Sequence, residues 1–271
     1  MLSAPELRDH LVASGLAGTV ATSREGSLRR YRLFAAGDPR VLIGLVPERG
    51  WSFGELLELM SARCGVSSNP ACVSGQDVID PDRTVAALDA LGDRLRSVAQ
   101  RRAPVLLGTG HPDRLLGFYA DLAAALSSAG CPVLTPAWGR RIDIATRFGV
   151  RTHNLEYVRG VALLREPGAR KTGNGTGVHT HSPLPIRIAL GVAADSGGRL
   201  PELVIGDHGW ACGAGQLGIA TIGLADSDDP ALFVGQAEGR LSVVVPLDDA
   251  ARPNYYRPLT RYVLNRACLS Q

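Results

Sequence analysis

The chain has 271 residues, 45% of them hydrophobic and 20% charged, with a net charge of +3. That length buries a sizeable core in one large domain or two small ones. So small a charge, with scattered basic residues and only 5% aromatics, argues against a nucleic-acid binder built on basic patches and stacked bases.

No stretch approaches the ~20 uninterrupted apolar residues that a membrane helix needs. Glu6, Arg8 and Asp9 stand where a signal peptide would be apolar. The five cysteines lack Cys-x-x-Cys spacing, which argues against a disulfide framework or a structural zinc site. A reduced, cytoplasmic protein is expected.

In chain order, residues 5–14 read as a short helix with Pro5 in its first turn. The dense basic run Arg29-Arg30-Tyr31-Arg32 follows. Ser52 and Glu55 form a capping box for a helix over 52–63. Asp80-Pro81 opens another, through Ala87, Leu88, Leu91, Leu95 and Val98 to about Arg102. This first portion, 1–102, is mostly helical.

From Pro104 the pattern alternates. Strands are predicted over 104–108, 131–135, 155–164, 202–206 and 241–246, and helices near 113–129, 183–195 and 255–268. Residues 155–164 are partly alternating, a pattern compatible with an antiparallel strand. Alternation of short apolar runs with helices implies an α/β fold, a mostly parallel sheet flanked by helices. We read 1–271 as one integrated unit, with 103–271 carrying the site loops. The Gly/Lys/Asn/Thr-rich stretch Arg165–Val178 reads as a mobile loop, either a lid at the site entrance or a disordered segment.

Three segments carry candidate chemistry. Gly206-Asp207-His208-Gly209-Trp210-Ala211-Cys212-Gly213-Ala214-Gly215 follows a buried strand, so polar groups and glycines gather at a strand's C-terminal end, where α/β sheets bind ligands. A long glycine turn with a surface histidine is the alternative. Cys212 reads as a buried spectator. Val105-Leu106-Leu107 runs into Gly108-Thr109-Gly110-His111-Pro112 and then a helix, a place for an anion at a helix N-terminus. It is neither a Walker loop nor a dinucleotide fingerprint. Finally, His179-Thr180-His181 precedes Ser182-Pro183, a helix start with Ser182 as N-cap; two solvated loop histidines are the alternative there. Four of the six histidines thus fall in three Gly/Pro-rich loops.

Carboxylates at Asp207, Asp143, Asp226 and Asp248 are available to join them. Oxygen and imidazole together suit a divalent cation such as Mg²⁺, Mn²⁺ or Zn²⁺. Asp207 and His208 are expected as ligands or general acid/base groups, His179 as a ligand, and His111 and His181 as ligands or proton donors. Gly108, Thr109, Gly110, Ser182, Gly209, Gly213, Gly215 and Arg151 are expected to hold an anion. If Asp207 supplies charge, Asp207→Asn abolishes turnover; if it accepts backbone hydrogen bonds in a turn, Asn substitutes well.

At these same residues the sequence resembles an actinobacterial family called simply "phosphatase". The likeness runs through Ala21-Thr22-Ser23-Arg24-Glu25, Tyr31-Arg32-Leu33-Phe34, Gly108–Pro112, Thr180–Pro185, Gly206–Trp210, Gly223-Leu224-Ala225-Asp226 and Val245-Pro246-Leu247-Asp248-Asp249. It implies hydrolysis of a small phosphorylated metabolite and assigns no catalytic residue. The chain lacks the Asp-x-Asp, Cys-x5-Arg and Arg-His-Gly signatures of familiar phosphatases. A second pattern, strand–Thr-Gly followed by a later Gly-Asp-x-Gly loop, is similar to the C-terminal domain family of D-glutamate cyclases. His208, Trp210 and Ala211 depart from that family's Gly, Asn and Glu. The alternatives are therefore a cyclase or dehydratase acting on a small amino or carboxylic acid, and a non-catalytic metabolite-binding protein. A nucleic-acid or membrane partner is not expected, and homo-oligomerisation stays open.

Overall fold

The computed structural model describes residues 2–146, 149–168 and 177–270. Residues 169–176 of the predicted lid lie outside the described residues. The N-terminal portion contains α1 (Ala4–Ser14), β1 (Gly18–Ser23), α2 (Arg24–Ala35), α3 (Pro39–Leu42), α4 (Phe53–Cys64), β2 (Gln76–Ile79) and α5 (Pro81–Arg101). The rest alternates: β3 (Val105–Gly108), α6 (Pro112–Ser128), β4 (Arg141–Thr146), β5 (Gly149–Val158), β6 (Val161–Arg165), α7 (Leu184–Asp195), β7 (Leu203–Asp207), α8 (His208–Gln216), β8 (Thr221–Ala225), α9 (Pro230–Ala237), β9 (Val243–Pro246) and α10 (Arg257–Arg266).

The larger sheet has the order β4-β5-β6-β3-β7-β8-β9. Strands β6, β3, β7, β8 and β9 are mutually parallel, while β4 and β5 add an antiparallel edge. The α/β class and the flanking helices are as the sequence implies.

Alternation along the strands sends side chains to two cores. Val105, Leu107, Leu203 and Ile205 face the cluster that contains α5, α6 and α10. Leu106 and Val204 face the smaller one with Ile186, Leu190 and Trp210. The larger cluster also takes Leu7, Leu11, Tyr31 and Leu56 from the N-terminal portion.

Several elements differ from the sequence reading. The run 155–164 is two antiparallel strands, because Arg159 and Gly160 both have positive φ (51° and 83°), the geometry of a two-residue hairpin turn. Of 131–135, only Val133 bridges to Val105. Strand β8 escaped prediction because Thr-Ile-Gly-Leu-Ala is too short and glycine-containing to stand out. The antiparallel pair β1–β2 and the helices α2 and α9 were also not read.

The largest correction concerns 206–218. It is not a glycine loop: β7 ends at Asp207 and α8 begins at His208 with no residue between them. Small residues permit this. A Cβ on Gly108 would lie 2.3 Å from the Trp210 ring, so the indole of α8 lies directly on β3. A Cβ on Gly209 would lie 2.4 Å from the Ser182 carbonyl group. Backbone, unlike a flexible side chain, has nowhere to go. Gly209→Ala is therefore expected to cost about 3 kcal/mol by overpacking, read from the urea midpoint. An unshifted midpoint would mean that the 181–182 segment is not seated on α8.

Candidate active site

The parallel strands end on one side of the sheet, and each end delivers a polar residue there. After β3 comes His111, the residue before the first turn of α6. After β7 comes Asp207-His208, after β8 Asp226 to Asp229, and after β9 Asp248-Asp249. The segment 178–183, leading into α7, lays His179 and His181 over them.

The four histidines form a compact cluster. His111 Nδ1 and His208 Nε2 are 2.6 Å apart, and His179 Nε2 and His181 Nε2 are 3.0 Å apart. The rings of His111 and His179 stack with centroids 4.0 Å apart, as do those of His181 and His208. Asp249 Oδ2 lies 3.4 Å from both His111 Nδ1 and His208 Nε2. Ligand atoms of His111, His179 and His208 lie within 4.8 Å of one another, as do those of His181, His208 and Asp229.

His208 is the hub. Its φ of 44° is unusual for a residue with a side chain, and it turns the ring into the cluster at the strand–helix junction. Nδ1 faces Asp229 Oδ2 at 3.2 Å, both side chains being almost fully buried. Burial opposes a charge on His208, but Asp229, then Asp249 and Asp207, outweigh it and raise its pKa to about 10. Burial lowers His179 to about 4 and His181 to about 2, so both are neutral at pH 7. Burial lifts Asp249 to about 6, against the pull of His208 and His111.

Asp229 is held from its other side. Arg30 on α2 donates from Nη2 to Asp229 Oδ1 at 2.7 Å and from Nε to the Asp228 carbonyl at 2.6 Å. Arg30→Met breaks this mostly buried pair, and about 3 kcal/mol of stability is expected to go with it. Arg30→Lys recovers only part, because an ammonium cannot reproduce the planar fork. Equal denaturation midpoints for the Met variant and the parent would show that the pair is idle.

Asp207 is fully buried, and its Oδ2 accepts from Gly110 N and His111 N, each at 3.0 Å. It therefore clamps the 109–111 loop to β7 and sets where His111 stands. Its Oδ2 is 3.8 Å from His111 Nδ1.

The expected anion cradle is not formed. Thr109 N donates to the Ala162 carbonyl, and the N–H groups of Gly110 and His111 are taken by Asp207. Gly108 lies within β3 under Trp210. Ser182 N donates to Thr180 Oγ1, and Ser182 Oγ accepts from Leu184 N; α7 starts one residue later than predicted, so Pro183 and not Ser182 is its N-cap. Gly213 and Gly215 lie within α8; added Cβ atoms would meet Ile186 at 2.7 Å and the Arg240 carbonyl at 2.8 Å, so they serve helix packing. Gly209 has the same role. Arg151 is exposed on β5, facing Ile144 of the edge strand. Asp143 is on that edge too, accepting from Thr152 Oγ1.

Asp229, Asp249 and Arg30 are the site residues that sequence reasoning missed. Asp226 and Asp248 are spoken for: the first accepts from Thr22 Oγ1 at 2.5 Å and Ser227 N, the second from Ala21 N and Ala250 N. Asp229-Pro230, a helix start just beyond β8, was the signal available for Asp229. For Asp249 the signals were its place after an apolar run and its position in the Val245–Asp249 segment of the family likeness.

Fold and site together define an α/β protein with a histidine–carboxylate centre, buried at His208 and its aspartates and open at His179, at the ends of its parallel strands. The Phosphatase family model matches residues 2–271, and a Streptomyces coelicolor protein named as a phosphatase is 41% identical over 269 residues, 98% of this chain and 97% of that one. The chain belongs to the Phosphatase family. Among the described residues no helix is long and apolar enough to cross a membrane.

Proposed function

We propose that the protein hydrolyses the phosphomonoester of a small phosphorylated metabolite with the help of one divalent cation. The observation that carries this is the convergence of His111 Nδ1, His208 Nε2, a His179 ring nitrogen and Asp249 Oδ2. Asp249 Oδ2 is buried without a hydrogen-bond partner, and an unpartnered polar atom is costly in a protein interior unless an ion satisfies it. Three imidazoles and one carboxylate suit Zn²⁺ or Mn²⁺ better than Mg²⁺, which prefers oxygen ligands and bound water.

When bound, the cation supplies Lewis-acid polarisation of a phosphoryl oxygen and lowers the pKa of an attacking water. The protein's own groups do the rest. Asp229 fixes the ring of His208 through Nδ1 and leaves Nε2 for the centre. Asp207 fixes His111 through the loop backbone. His181, neutral at rest, stands over the centre and offers a ring nitrogen to hydrogen-bond and orient the attacking water. Asp207 thus acts by positioning, and its carboxylate need not touch the substrate.

Phosphate release from p-nitrophenyl phosphate and a panel of phosphometabolites tests the reading, before and after stripping with dipicolinate. Release is expected to fall at least a hundredfold on stripping and to return with Zn²⁺ or Mn²⁺ but not Mg²⁺. Undiminished release by the metal-free protein would remove the cation; no release from any ester would remove the phosphatase reading.

A further inference from the structure

A cavity of about 400 Å³ lies between α6, the β5–β6 turn and the residues leading into α10. It is in the size range of small-molecule sites. Two of its walls adjoin the centre. Pro112 lines it and follows His111 directly. Tyr256 lines it and donates its hydroxyl to the Asp248 carbonyl at 2.8 Å, one residue from Asp249.

The cavity contrasts with the carboxylate-rich centre in its charge. Arg114, Arg159 and Arg257 line it, against Asp113 and Asp121. Arg159 is neutralised by Asp121 at 2.7 Å. Among the described residues neither Arg114 nor Arg257 has a carboxylate partner within ion-pair distance. Arg114 is in the first turn of α6, where the helix dipole disfavours a cation, so its charge does not serve the helix. It is three residues beyond His111, about 4.5 Å along the axis.

We propose that this cavity receives a second anionic group, phosphate or carboxylate, of the metabolite whose phosphomonoester lies at the histidines. The proposal rests on the phosphatase reading and narrows its substrate class to phosphate esters with an anion at the far end. Arg114 and Arg257 would pair with that anion through charge-assisted hydrogen bonds.

Fructose 1,6-bisphosphate, 6-phosphogluconate and glucose 6-phosphate make a matched set. They carry a second phosphate, a carboxylate and no second anion. The parent protein is expected to favour one or both of the first two by at least tenfold in kcat/KM, and the pair that differs identifies the anion. In the Arg114→Gln/Arg257→Gln double variant that ratio should collapse towards 1, through KM and not kcat. Calorimetric binding of the same three compounds to the cation-stripped protein gives a readout that needs no turnover, and the same loss of discrimination is expected there. Release from all three without preference, or an equal loss for all three in the variant, would overturn the proposal and leave the phosphatase reading standing. Absence of release, with tenfold discrimination in binding intact, would do the reverse.

Discussion

Replacing His208 with asparagine is expected to lower phosphate release on the order of a thousandfold while the protein stays folded. Asparagine is chosen because it tolerates the left-handed backbone that His208 occupies, so the β7–α8 junction survives. What disappears is the imidazole between Asp229 and Asp249. Cation retention should fall with it, on the order of a hundredfold. The stability cost is limited to about 2 kcal/mol, because Asp229 keeps Arg30. Phosphate assay, metal content and near-ultraviolet circular dichroism on one preparation separate these effects. A His208→Asn protein with parental turnover and full cation content would dismantle the proposed centre.

The second large effect is a contrast between two substitutions at Asp207. Asp207→Ala leaves the N–H of Gly110 buried without an acceptor and leaves that of His111 to Thr109 Oγ1 alone. An orphaned donor costs about 1–3 kcal/mol, so a loss of about 2–3 kcal/mol is expected, with turnover down about a hundredfold as His111 drifts. Asp207→Asn keeps an oxygen where Oδ2 stands, and one amide oxygen can accept both bonds. Its loss should stay within about 1.5 kcal/mol and its turnover within tenfold of the parent. If asparagine proves as damaging to turnover as alanine while preserving the melting temperature, the charge of Asp207 belongs to the chemistry and the clamp is secondary.

What the sequence made legible follows from how local each signal is. The capping box at Ser52 and Glu55, the Asp80-Pro81 helix start and the strand at 105–108 depend on a few adjacent residues, and the structure contains all three. The histidines were legible as a group because they all sit next to strand ends or helix starts. Their companions were not. Asp249 and Arg30 gain meaning from partners some 40 to 200 residues away, a relation no short window can see. Glycine misled for a different reason. In Gly206–Gly215 the lack of side chains admits close packing of α8 on β3, β7 and α7, whereas in isolation the same residues signal a turn.

The contacts that close the centre also fix when it can form. Ala21, Thr22, Arg30 and Tyr31 bond to Asp248, Asp226, Asp229 and Ser227, across 227, 204, 199 and 196 residues of chain. During synthesis the first partners emerge long before the second, so the N-terminal portion must wait for nearly the whole polypeptide. Such high contact order slows the last stage of folding and leaves the apolar faces of α2 and α4 uncovered in the interval, the kind of surface on which multi-step folders aggregate. Catalytic competence is thus a property of the finished chain: a nascent or C-terminally clipped protein that lacks β9 carries all four histidines of the cluster and no assembled centre.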